Sequence, residues 1–225
     1  MGEMVSYPAN GHTTAGYLSV PAGGRGPGVL VIQEWWGLVD HIKDVADRCA
    51  AAGFVALAPD FFNGATTRSP DDAAKLFMAL NIDRASADLR GSADYLRSRA
   101  EIVGARVGAV GFCMGGQLAL YAGMAYPDRI GAVVDFYGIH PNVKVDPARV
   151  KVPVMGHFGT KDHSVGAAQV KALADGITKA GGLFEAFFYD ADHAFFNDTR
   201  PAVYSEVSAR LAWGRSVEFL RQHLA

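Results

Sequence analysis

Arg106 to Tyr126 reads RVGAVGFCMGGQLALYAGMAY. It opens as a short apolar run of Val, Ala and Gly and reaches Gly111-Phe112-Cys113-Met114-Gly115-Gly116. Leu118, Ala119, Tyr121, Ala122 and Met124 follow, residues suited to a buried helix. The order is strand, sharp turn, helix. The turn fits G-x-nucleophile-x-G with Cys113 at its apex. A strand that reverses directly into a helix strains the backbone of its turn residue. Glycines at 111 and 115 let the two elements pass closely without Cβ clashes. The apex side chain then points into whatever cleft lies above the sheet. The N–H of Met114, at the helix start, can donate to a developing oxyanion, and a helix N-terminus favours a thiolate.

Two other readings compete. One is a core cysteine in a Gly-rich strand, since short motifs match by chance. The other is a membrane span, because Val107 to Pro127 carries no charge. Glycines and Gln117 interrupt that stretch, and two shorter elements explain it better than one long helix.

Working outward, the 225 residues suffice for one α/β domain, read as spanning residues 1–225. Half of them are hydrophobic and a fifth are charged, the balance of a soluble globular protein. A net charge of −2 and the lack of a basic patch argue against nucleic acid and anionic membranes as partners. The opening MGEMVSYPANG lacks the basic-then-apolar layout of a signal peptide, which predicts a cytoplasmic location. Cys49 and Cys113 have no metal-ligand spacing, and a disulfide between them is not expected in a reducing compartment.

Met4 to Val20 reads as two strands joined at Ala9-Asn10-Gly11, a hairpin signal. Val29 to Ile32 is an apolar run expected of a strand buried on both faces. A helix from about His41 carries Ile42, Val45, Cys49 and Ala52 on one face and stops at Gly53. Cys49 is thus a core residue. Phe54 to Ala58 is the next strand. Ser69 is an N-cap with Pro70 in the first turn and Asp72 in capping-box position. A further helix carries Ile82, Leu89, Ala93 and Leu96. After the Cys113 unit come strands at 132–137 and 152–158, a helix through Val170, Leu173 and Ile177, and a strand from Phe184 to Tyr189. The C-terminal helix is predicted to bury Val203, Val207, Leu211, Val217 and Leu220. Strands alternating with helices predict an α/β fold, a mostly parallel sheet with helices on both faces. Ligands of such sheets sit beyond the carboxyl ends of the strands.

Four strand ends carry polar residues: Glu34, then Cys113, then Gly159-Thr160-Lys161-Asp162-His163, then Asp190-Ala191-Asp192-His193. The order nucleophile, acid, histidine is that of α/β-hydrolases. His193 is the expected general base, and Asp162 the group that fixes its tautomer. Asp162 also has a plain reading as the cap of a following helix, and His163 and Asp192 are neighbouring competitors. His12, His41, His140, His157 and His223 read as structural or surface histidines, and no pair has zinc-like spacing.

The chain resembles the dienelactone hydrolase family, a compact, cysteine-using branch of the α/β-hydrolase fold, over nearly its whole length. The resemblance is carried by Gln33-Glu34-Trp35-Trp36-Gly37, Ala58-Pro59-Asp60, Gly111-Phe112-Cys113-Met114-Gly115-Gly116, Gly159-Thr160-Lys161-Asp162 and His193-Ala194-Phe195. It implies a triad of Cys113, His193 and Asp162 that hydrolyses through an acyl-enzyme. It further implies that Glu34 contacts the resting thiol, is displaced by substrate and then helps deprotonate the cysteine. A second oxyanion donor would be the N–H of Trp35, facing that of Met114. Members of the family hold a substrate carboxylate with arginines, one shortly after the catalytic histidine. Asn197 stands at that position here, and the segment Pro70 to Lys75 has no arginine for the other. Arg68 and Arg84 lie nearby in sequence.

The expected protein is a hydrolase of small esters or lactones, needing no metal or organic cofactor, and a monomer or weak homo-oligomer. Catalytic residues are Cys113, His193, Asp162 and Glu34, with Met114 and Trp35 as oxyanion donors. Trp36, Phe195 and Asn197 are expected to bind substrate. Alternatives are a non-catalytic binding protein on the same fold, a serine-esterase-like activity on short-chain esters, and thiol redox chemistry at Cys113, for which no C-x-x-C exists.

Overall fold

The structure, a computed structural model, describes residues 1–141 and 143–224. The chain opens with a hairpin of β1 (Glu3–Ala9) and β2 (His12–Ser19), turning at Asn10 and Gly11, both with positive φ. Then come β3 (Gly28–Ile32), α1 (Asp40–Ala51), β4 (Val55–Pro59), α2 (Pro70–Ala79) and α3 (Ile82–Ser98). The chain goes on through β5 (Val107–Phe112), α4 (Met114–Ala125), β6 (Ile130–Phe136), β7 (Val154–Gly159), α5 (Ala167–Lys179), β8 (Phe184–Tyr189) and α6 (Glu206–Leu224).

The strands form one sheet of eight in the order β1-β2-β4-β3-β5-β6-β7-β8. β1 and β2 run antiparallel, and every pair from β4 to β8 is parallel. β3 to β7 are buried along their whole length, as parallel strands covered on both faces must be. Alternate residues feed opposite cores. Leu30 and Ile32 pack with α3 and α4, whereas Val29 and Val31 pack with α1 and α6. The chain steps from β3 to β4 on one side and returns to β5 on the other. That reversal opens a crevice beyond the carboxyl ends of β3 and β5, where Glu34 and Cys113 lie.

Helix starts follow the expected chemistry. The Ser69 hydroxyl accepts from the Asp72 N–H at 3.4 Å, with Pro70 in the first turn of α2. α6 corrects the predicted phase. Val203 precedes the helix, and Val207 and Leu211 lie on its outer side, 61% and 47% exposed. The buried stripe is Ala209, Ala212, Ser216, Phe219, Leu220 and Leu224. Small residues let α6 lie close to the sheet, and Ser216 hydrogen-bonds His157 of β7 at 2.9 Å. A polar anchor thus set the phase that apolar spacing alone misassigned. No helix among the described residues is long and apolar enough to cross a membrane.

Candidate active site

Cys113 sits between β5 and α4 with φ 54° and ψ −118°, the strained apex expected of the turn. Its flanks explain the glycines. A Cβ on Gly111 would lie 1.9 Å from the Gly115 carbonyl oxygen, and one on Gly115 would lie 2.4 Å from that of Ile32. The Cys113 N–H donates to the Phe136 carbonyl at 2.9 Å, tying the turn to β6. The cysteine is half-buried, so its sulfur is reachable. Met114 begins α4, where the helix itself offers its N–H no acceptor.

His193 is delivered by the loop after β8, followed by Ala194 in the left-handed region at φ 62°. Its Nδ1 lies 2.7 Å from Asp162 Oδ2. The other carboxylate oxygen of Asp162 accepts from the N–H groups of Ser164, at 2.6 Å, and Val165, at 3.1 Å. Asp162 therefore organises the loop before α5 and also bonds the imidazole, whereas the N-cap of that helix is Gly166. Burial opposes its ionisation, but His193 and these N–H groups hold its carboxyl below the usual range. Burial likewise disfavours a charged His193. The hydrogen bond to Asp162, with Cys113 close by, outweighs it and raises the imidazole to about 10. His163 and Asp192 take no part in these hydrogen bonds.

Glu34, beyond β3, is buried on the same crevice. Its oxygens accept from the Tyr137 hydroxyl at 3.4 Å and from Asn197 Nδ2 at 2.8 Å. Glu34 and Cys113 line the same cavity. Tyr137 itself holds φ 47°, a costly conformation for an aromatic residue. Burial, with the Glu34 carboxylate and Cys113 close by, pushes its phenol well above the ordinary range.

The cavity over Cys113 measures ≈ 370 Å³ and is walled by Trp35, Trp36, Met114, Tyr137, Ile139 and Val165, with Glu34 and His193 facing in. Arg200 stands at its edge, 5.0 Å above the Trp36 ring. A neighbouring cavity of ≈ 690 Å³ shares Trp36 and Arg200 and also holds Arg68 and Asn197, but none of Cys113, His193, Asp162 or Glu34. Arg84 points elsewhere, 3.8 Å from Asp88. Two residues expected to bind substrate do not line the cavity over Cys113. Phe195 is fully buried behind the cavity, its ring against Tyr137 and Tyr189. Asn197 faces Glu34 and the neighbouring cavity, not the one over Cys113. Among the described residues, no three acidic, His or Cys side chains cluster as metal ligands.

Sequence reasoning missed Tyr137 as a partner of Glu34 and Arg200 at the rim. In the sequence Tyr137 stands out only as the end of a strand and as one of several aromatics that could wall a pocket. Arg200 gave no signal, because its position depends on the turn that follows His193.

Residues 14–224 match the dienelactone hydrolase family. The chain is 38% identical over 231 residues to "Protein usf" of Aquifex pyrophilus, with 100% of each chain covered. It is 32% identical over 231 residues to the carboxymethylenebutenolidase of a Pseudomonas species, covering 98% of this chain and 95% of that one. Among solved structures, a dienelactone hydrolase-like promiscuous phosphotriesterase from metagenomic libraries superposes with a TM-score of 0.88. It has 25% identity and covers 100% of this chain and 99% of its own.

Proposed function

The chain belongs to the dienelactone hydrolase family, and from that premise we propose that it cleaves small esters or lactones through a thioester on Cys113. In this reading His193 already holds the Cys113 proton, and the sulfur attacks the carbonyl carbon as a thiolate. The tetrahedral oxyanion is met by the N–H groups of Met114 and Trp35. Its collapse breaks the bond to the alkoxide, which takes the proton from His193 and leaves, or swings away still tethered if the substrate is a lactone. Water then adds to the thioester, giving a proton to His193. The carboxylic acid departs and the thiolate is restored beside the protonated imidazole. Asp162 keeps the imidazole in the tautomer that both steps need.

One observation carries this reading: an imidazole hydrogen-bonded to Asp162 shares the wall of one cavity with Cys113. The apolar walls and ≈ 370 Å³ volume favour a small acyl group. The test is hydrolysis of p-nitrophenyl acetate by Cys113→Ala. A loss of about 10³-fold or more is expected, and wild-type turnover would overturn the assignment.

A further inference from the structure

We infer that Asn197 is a positioning residue for Glu34, its amide fixing that carboxylate beside Cys113. This rests on the reading of Cys113 as nucleophile and adds to it a residue that touches neither sulfur nor substrate.

A buried carboxylate needs donors to replace lost water. Glu34 is 1% exposed, and among the described residues no cation pairs with it. Its two donors are neutral. Tyr137 reaches it at 3.4 Å, near the limit of a hydrogen bond, and Asn197 at 2.8 Å. Asn197 is thus the stronger tether.

The direction of the Asn197 amide is set by its other end. Oδ1 accepts from the Thr199 N–H at 3.1 Å and the Thr199 hydroxyl at 2.6 Å. Flipping the amide would turn its NH₂ towards the Thr199 N–H and its oxygen towards a carboxylate. Both ends therefore select one orientation. The backbone completes the device, because the Asn197 N–H donates to the Ala194 carbonyl at 3.0 Å, in the turn that presents His193. One loop thereby sets the imidazole on one side of the sulfur and the carboxylate on another.

The titratable and charged groups that share the cavity with Glu34 come from three loops: Cys113 after β5, Tyr137 and His140 after β6, and His193 and Arg200 after β8. Any displacement of Glu34 alters the field at the thiol. The rate of Cys113 alkylation by iodoacetamide across a pH series reads that field directly.

Glu34→Gln should move the midpoint of that profile by about one pH unit, the scale of one strong hydrogen bond to a charge. Asn197→Ala should move it in the same direction, and Glu34→Gln with Asn197→Ala should match Glu34→Gln alone. Thr199→Val keeps Asn197 in place and removes one of the contacts that orient it. It should give a smaller shift of the same sign, and it serves as the test should Asn197→Ala fail to fold. An unmoved profile in Thr199→Val and Asn197→Ala beside a shifted Glu34→Gln overturns the inference. So does additivity in the double variant, or a Glu34→Gln profile equal to wild type. None of these outcomes touches the nucleophile assignment, which fails only if Cys113→Ala hydrolyses ester normally.

Discussion

His193 Nδ1 and Asp162 Oδ2 lie 2.7 Å apart, joining the loop after β8 to the loop after β7 across 31 residues of sequence. The pair has a thermodynamic signature. His193 is raised from its ordinary value of 6.5 to about 10 in the folded protein. The folded state therefore binds this proton more tightly than the unfolded chain. The stability so gained is complete below pH 6.5 and is lost as pH rises through about 10.

Asp162→Asn should remove the Asp162 part of this effect, leaving the part that comes from Cys113. Its kcat for ester hydrolysis should fall by about 10²–10⁴-fold. Its stability should decline less than that of wild type between pH 6.5 and 10, as urea melts across that range would read. A variant with the wild-type pH dependence would mean that another group holds the imidazole.

The turn at Cys113 rests on a buried carboxyl. A Cβ on Gly116 would lie 2.0 Å from Asp135 Oδ1, which accepts from the Gly138 N–H at 2.8 Å. Gly116→Ala should cost about 1–3 kcal/mol and lower activity by shifting the turn. Removing the obstruction in Gly116→Ala with Asp135→Ala should recover part of that loss. The double variant should thus be more stable than the sum of the single changes predicts, with thermal melts as the measure.

His157 should make the protein sensitive to acid. Burial, helped by the Arg215 charge, lowers its imidazole from 6.5 to about 3. The Ser216 hydroxyl donates to the Ala212 carbonyl at 2.8 Å, so it accepts from His157 Nε2, leaving Nδ1 to accept from Tyr189. The unfolded chain takes up this proton near pH 6.5 and the folded chain only near 3. Stability therefore falls as pH drops through that window, by an amount on the order of a few kcal/mol. His157→Gln should be less stable at pH 7 yet show a flatter acid limb in urea melts.

Sequence made the sheet and the candidate triad legible for a simple reason. Buried parallel strands are unbroken apolar runs, and in such a sheet the residues just past their carboxyl ends share one crevice. Cys113, Asp162 and Glu34 each follow a fully buried strand, and His193 follows the edge strand β8, which is half-exposed and carries Glu185. What did not show was set by groups whose partners are far away in sequence. Asn197 turns to Glu34 because Thr199 orients its amide, and Phe195 is drawn into the core by Tyr137 and Tyr189. The phase of α6 answers to a hydrogen bond between Ser216 and His157, which no apolar periodicity encodes.

The most direct test of the account is mass spectrometry of enzyme quenched during turnover of p-nitrophenyl acetate. The account predicts an acetyl group on the peptide that carries Cys113, absent from Cys113→Ala and absent from the buried Cys49. Turnover with Cys113 unmodified, or with the acetyl group built up on another residue, would contradict it.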